Sequence, residues 1–217
     1  VKNSYGFVYG FHKAKGHTQY PSADSFARML IDLNKCVAPK LYVMDGIVAM
    51  EGNGPGSGDP VPMNVLLMST DPVALDSVFS RLVYLKPEMV PTNYHGEKMG
   101  LGTWKEEEIT LLIPDGEISM AEAVKKYGNP AFNVDRTEVR KNIWTRMAGA
   151  LNIFQKKPYI EADKCVRCGI CVQSCPVPGK AVDFRKGKGK PPVYDYRKCI
   201  RCFCCQEMCP KKAIKVK

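Results

Sequence analysis

The stretch Cys199–Pro210 reads CIRCFCCQEMCP and holds five cysteines. Thirty-four residues earlier, Cys165–Pro176 reads CVRCGICVQSCP and holds four. Laid over each other, both runs follow K-C-x-R-C-x-x-C-x-x-x-C-P. In that register Cys199, Cys202, Cys205 and Cys209 fall on Cys165, Cys168, Cys171 and Cys175, while Cys204 falls on Ile170. The repeat sorts the cysteines. Eight form two matched quartets, and Cys204 occupies an apolar seat.

The chain has 217 residues, enough for one medium domain and a small appendage. Nine of its ten cysteines lie beyond residue 164, and Cys36 stands alone. A disulfide framework has no need of two matched, closely spaced runs, so metal is the better reading. Metal-bound thiolates imply a reducing compartment, and the expected location is cytoplasmic. No apolar run approaches the roughly 20 residues of a membrane-spanning helix. The opening VKNSYGFVYGF lacks the order of a secretory signal. It begins with Val, and the expectation is a fragment of a longer protein.

The net charge of +10 is unevenly placed. Residues 1–154 carry 16 Lys and Arg against 17 Asp and Glu, whereas residues 155–217 carry 16 against 5. Two oxidised four-iron clusters with their cysteinates would each add about −2, leaving the second segment at roughly +7. Nucleic acid is an unlikely partner, because stacking aromatics are sparse there and the lysines flank the cysteine motifs.

A zinc ribbon brings two C-x-x-C pairs onto one ion. Here three cysteines at x-x spacing are followed by a fourth and a Pro, twice over. Three closely spaced thiolates on a tight loop can reach three irons of one cube. The fourth cysteine is expected to open a short helix, with the Pro in its first turn. The run resembles two-cluster bacterial-type ferredoxins over roughly residues 156–217. That resemblance implies two [4Fe-4S] clusters, with the fourth cysteine of each run serving the other cluster. Cluster one would be held by Cys165, Cys168, Cys171 and Cys209, and cluster two by Cys199, Cys202, Cys205 and Cys175. The ending PKKAIKVK places Ile214 against a cluster. After the first motif, PVPGKAVDF is two residues longer before its Ala. The connector VDFRKGKGKPPVYDYRKC predicts a strand, a Gly-Lys turn and a second strand. Lys186, Lys188 and Lys190 at its tip suit docking of an acidic redox protein, against the plainer reading of a solvated turn.

Before residue 155 the pattern predicts alternating helices and strands. SADSFARMLIDLNKCV has a helical stripe of Phe26, Leu30, Leu33 and Val37, with Ser22 or Asp24 as cap and Cys36 as a small buried hydrophobe. KLYVMD and NVLLMST predict strands, and DPVALDSVFSRLVYL a helix capped by Asp71 with Pro72 in its first turn. EITLLIP predicts a strand, and SMAEAVKKYG a helix with a Ser119–Glu122 capping box, stopped by Gly128. A last helix is expected from about Arg136 through Val139, Ile143, Met147 and Leu151. The fold class expected is α+β overall. A layered α/β domain over residues 1–154, incomplete at its N-terminus, precedes a ferredoxin-like domain over 155–217.

The stretch GNGPGSG after KLYVMD is expected to be a loop. It fails as a dinucleotide turn, because it contains Pro55, is followed by Pro60, and leads to a strand rather than a helix. It also lacks the Gly-Lys-Ser/Thr of a phosphate-binding loop. Asp45, Glu51, Asn53, Gly54 and Asp59 could still hold a hard cation or small polar ligand there, against the alternative of a solvated turn. Asp76 is a further candidate, expected partly buried and needing a partner. His17 is expected in a polar loop after FHKAKG, with two readings open: facing the same cleft, or a plain surface residue. VKNSYGFVYG, MDGIVAMEGNGPGSGDP and STDPVALDSVFSRLV together resemble the uncharacterised family named domain of unknown function 362, over roughly residues 1–115. Members often end in a ferredoxin module, and no reaction follows from the resemblance. The function expected is electron transfer through two clusters, to or from a site on the α/β domain, with an oxidoreductase component possible. The rival is a binding module whose clusters are only structural staples.

Overall fold

The computed structural model describes residues 1–9, 12–20, 22–53, 57–137 and 157–216. Contacts divide the chain into two units. Val1–Tyr9, Ser22–Gly52 and Asp59–Arg136 form one, and Gly10–Pro21, Asn53–Gly58 and Thr137–Lys217 the other. The expected helix beyond Arg136, the 154/155 boundary and Gly54 lie outside the described residues.

In the first unit, helix α2 spans Ala23–Val37 behind a Ser22 cap. Ser22 and Ser25 bond reciprocally, which frees Asp24 to meet the His95 ring, Nε2 to Oδ1, at 2.9 Å. The buried stripe of α2 is Ala27, Leu30, Ile31 and Asn34, rotated from the expected one. The rotation is explained by Asn34, which is fully buried because its amide is occupied. It donates to the Leu30 and Val1 carbonyls and accepts from the Ser4 hydroxyl. Cys36 therefore falls on the outer face and is exposed, not the buried hydrophobe expected.

Helix α3, Pro72–Leu82, is capped as its sequence predicts. Asp71 Oδ1 accepts from the Val73 and Ala74 amides at 2.8 and 2.9 Å, a cap worth about 1 kcal/mol. Its Oδ2 accepts from the Thr103 amide at 2.8 Å, so one carboxylate starts the helix and pins a distant loop. Val73 packs with Leu30 and Ile31, while Leu82 and Val83 pack with Met63, Val65 and Phe132. Helix α4, Pro91–Lys98, lies against α2 and α3. Helix α5, Met120–Tyr127, has the Ser119–Glu122 capping box. Gly128 follows it at φ −75°, not in the left-handed form of a glycine stop. Glycine is required for space, since a Cβ there would meet the Val124 carbonyl oxygen at 2.3 Å.

Strands extend into the glycine-rich stretch from both sides. Strand β1 runs Tyr42–Asn53 and β2 runs Ser57–Ser69, and they pair with each other. A two-stranded ribbon has two free edges, which explains how Pro60 and Pro62 fit within β2. The ribbon turns Met63 and Val65 inward and leaves Val43, Ile47, Leu66 and Met68 exposed. A short hairpin of β3, Leu111–Ile113, and β4, Gly116–Ile118, is the only other sheet described in this part. The arrangement is α+β, with helices and small sheets of sequential strands. The expected layered α/β sheet is not formed among the described residues. Strands joined by short turns pair with one another, whereas a parallel sheet needs crossovers.

In the second unit, helix α1 spans His12–Gln19, where a polar loop was expected. It carries no apolar stripe for periodicity to reveal. The cysteine segment is built by interlocking its two repeats. Strand β5, Pro158–Ile160, precedes the first motif and pairs antiparallel with β8, Ile214–Val216, which follows the second. Strand β6, Val182–Asp183, follows the first motif and pairs antiparallel with β7, Val193–Tyr194, which precedes the second. Between them lie the short helices α6, Ile170–Gln173, and α7, Cys204–Glu207.

Candidate metal centre

Each motif loop makes the same backbone turn. Arg167 and Arg201 both have φ +57°, and the next left-handed positions are Gly169 at +78° and Phe203 at +58°. These turns aim the first cysteines of each run inward and start α6 and α7. The fourth cysteine follows its helix rather than opening it, as was expected, and the Pro after it lies beyond the helix end. There it stops the helix and sends the chain into β6 or β8.

Two enclosed, apolar-walled cavities result. The first is lined by Cys165, Cys168, Cys171 and Cys209, with Ile160, Ile214 and Pro192 among its walls. The second is lined by Cys199, Cys202, Cys205 and Cys175, with Tyr194, Val182 and Pro158 in the matching seats. Cys204 lines neither; it heads α7 with its sulfur 3.9 Å from the Cys202 carbonyl. The grouping has a topological cause. Cys175 leads into β6, which pairs with the strand before the second motif, and Cys209 leads into β8, which pairs with the strand before the first.

Backbone donors repeat as well. The Ala181 amide donates to Cys175 Sγ and the Ala213 amide to Cys209 Sγ, each at 3.3 Å. The two extra residues after Cys175 are absorbed in a turn closed by Lys180 N donating to the Val177 carbonyl at 3.0 Å. Ala181 thereby recovers the seat of Ala213. Lys180 Nζ also donates to the Cys175 carbonyl at 2.7 Å.

Burial pushes the Cys171 thiol up to about 11 and Cys205 to about 12, and raises Cys199. A hydrogen bond from the Cys204 thiol draws Cys202 down to about 7, and Cys204 itself is raised. Buried thiols of this kind hold their protons until a metal displaces them, so loading releases protons and is favoured by rising pH. Among the described residues no three His, Cys, Asp or Glu side chains are placed for a single ion. A four-iron cube asks for a different arrangement, one thiolate at each iron. Eight cysteines divided four and four around two enclosed cavities fit two such cubes.

Each of the other described candidates has its own surroundings. Asp45 Oδ1 accepts from the Ile47 amide at 3.0 Å. Glu51 stands six residues further along β1, roughly 20 Å in an extended strand. Its Oε2 accepts from the Asn133 amide at 2.7 Å, which makes it a structural bridge. Asp59 is exposed on β2, and the Asn53 side chain is not described. His17 is half-buried on α1. Asp76 is partly buried with the Val1 nitrogen 2.8 Å from Oδ2, and borders an open cavity of about 820 Å³ with Lys2, Phe26, Met44 and Thr92.

Two features of the cysteine segment escaped the sequence reading. Tyr194 donates its hydroxyl to Cys205 Sγ at 3.1 Å, and Arg167 donates to the Gly189 carbonyl at 2.9 Å, tying the lysine-rich connector to the first motif loop. The register could have found the first, since Tyr194 falls on Ile160.

Two family models match parts of the chain. Residues 1–81 match the family model for the domain of unknown function (DUF362), and residues 157–210 that for the 4Fe-4S dicluster domain. The chain thus joins the first to a C-terminal iron–sulfur cluster domain. A curated relative, the thylakoid-associated protein sll1697 of Synechocystis sp., is 42% identical over 102 residues. The match covers 46% of this chain and 32% of the relative's length. No solved structure matches.

Proposed function

We propose that the chain relays electrons through two [4Fe-4S] clusters, one in each cavity, to or from a site on its N-terminal region. The observation that carries this reading is the division of eight cysteines into two enclosed quartets. Cys165, Cys168, Cys171 and Cys209 would hold the first cluster, and Cys199, Cys202, Cys205 and Cys175 the second. When bound, each cluster supplies a one-electron site that accepts and releases charge with little rearrangement. The apolar walls exclude water, and the Ala181 and Ala213 amides hold two thiolates in place. Every one of the ten cysteines is free of disulfides, which suits a reducing compartment, and we assign the chain to the cytoplasm. Among the described residues no helix is long and apolar enough to cross a membrane. For a small-molecule ligand, the cavity beside Asp76 and Thr92 is a better candidate than the glycine-rich ribbon.

The partner is an acidic electron carrier docking on the lysine-rich connector. Lys186, Lys188 and Lys190 are all exposed. An open groove of about 880 Å³ is lined by Lys186, Lys190, Ile160, Tyr194 and Tyr196. Ile160 also walls the first cavity and Tyr194 the second, so a carrier in this groove stands one side chain from each. Clustered positive charge steers an acidic partner, and the steering weakens with salt because the screening length is ~10 Å at 0.1 M.

Changing Lys186, Lys188 and Lys190 together to Gln is expected to slow electron exchange with an acidic carrier about tenfold at low salt, through k_on. The salt dependence should flatten and the iron content stay unchanged. Stopped-flow mixing with a reduced acidic ferredoxin reads this directly. An unchanged low-salt rate would remove the docking role and leave a solvated turn. A second reading, clusters as structural staples only, is favoured by one observation: three of the six residues in this module's main buried cluster are cysteines.

A further inference from the structure

The two cavities correspond through most of their lining, and at one pair of matching seats the hydrogen bonding differs. Ile160 lies at the end of β5, five residues before Cys165, and Tyr194 at the end of β7, five before Cys199. Both wall their cavities. Ile160 offers no donor, whereas the Tyr194 hydroxyl donates to Cys205 Sγ at 3.1 Å. The ring is held for that bond. It stacks on Tyr196 with centroids 5.6 Å apart and planes 13° from parallel. Tyr196 in turn donates its hydroxyl to the Pro158 carbonyl at 2.9 Å, and Lys157 Nζ stands 5.7 Å from its ring centre.

We infer that the Tyr194 hydroxyl raises the reduction potential of the centre held by Cys199, Cys202, Cys205 and Cys175 and leaves the other centre unaffected. The inference rests on the two-cluster reading above. Reduction adds one electron, from a one-electron donor such as dithionite, and moves no proton. The added charge spreads onto the thiolates, so a donor aimed at a thiolate stabilises the reduced form more than the oxidised one. Cys205 is buried, and a hydrogen bond there is strengthened by the low local dielectric. The Ala181 and Ala213 amides make the same bond in both halves, so they do not distinguish the centres. Arg167 and Lys211 border the first cavity but are exposed, and solvent screens their charge.

The test uses the full chain, purified without oxygen, as wild type and as Tyr194→Phe, which keeps the ring and its stack. Iron is counted first, and each protein is then titrated with dithionite while the reduced clusters are followed by electron paramagnetic resonance. At a fixed potential the reduced-to-oxidised ratio of one centre is expected to fall about tenfold in the variant, equivalent to about 59 mV for one electron. The other centre should not move. One exchangeable-proton coupling, identified by transfer to D₂O, should disappear with the hydroxyl. With about eight irons in both proteins, unmoved potentials overturn the inference and leave the two-cluster reading standing. Loss of iron from the Phe variant alone makes the hydroxyl an anchor and overturns the tuning role. A wild-type chain with only four irons removes the two-cluster reading and the inference with it.

Discussion

Cys205→Ala is expected to halve the iron content, from about eight to about four per chain, while Cys204→Ala retains both clusters. The two residues are neighbours in sequence, yet their places differ. Cys205 is buried, lines the second cavity and accepts the Tyr194 hydroxyl. Without its thiolate one corner of the second cube has no protein ligand, and the apolar wall offers no substitute. Cys204 lines neither cavity. Consecutive residues of a helix project about 100° apart, so Cys204 cannot replace its neighbour without unwinding α7. Iron and acid-labile sulfide counts on both variants decide the matter. Loss of half the iron from Cys204→Ala would show that the repeat register is wrong.

Stripping the clusters is expected to unfold residues 157–216 while leaving the N-terminal unit folded. The module's main buried cluster is Cys171, Cys175, Ala181, Val182, Cys205 and Ile214, so half of it would face the proposed iron–sulfur clusters. Its strands are only two or three residues long. A core of this size rarely supplies more than about 3–5 kcal/mol, and without the clusters two enclosed cavities would open inside it. The N-terminal unit has its own packing around Leu30, Ile31, Val73 and Leu82. Amide exchange after chelation should show Tyr159, Ile160 and Lys215 exchanging as in an unstructured chain, with α2 and α3 still protected. Protection of β5 and β8 unchanged in the stripped protein would mean that the clusters contribute little to this fold.

The cysteine segment was legible because metal ligation leaves its spacing in the sequence, and the duplicate supplied its own alignment. That alignment also set Cys204 apart from the two quartets by placing it on Ile170, although Ile170 lines the first cavity and Cys204 lines neither. Helix caps were legible for a similar reason, since Asp71 and Ser119 act within three residues of themselves. What was missed depends on partners distant in sequence. The end of β1 and the start of β2 looked like loop because glycine and proline disfavour strands, and pairing between the two strands overrode them. Asn34 rotated the buried face of α2 because Ser4 and Val1 satisfy its amide from thirty residues away. Glu51, which seemed free to bind a ligand, is engaged by the Asn133 amide, 82 positions along the chain.

The central claim is that the chain carries two redox-active clusters. Its most direct test is a dithionite titration of the anaerobically purified full chain, with iron counted and the spectrum followed by electron paramagnetic resonance. The account predicts about eight irons and reversible one-electron reduction of both clusters. One or two bound zinc ions, or clusters that dithionite leaves unchanged, would contradict it.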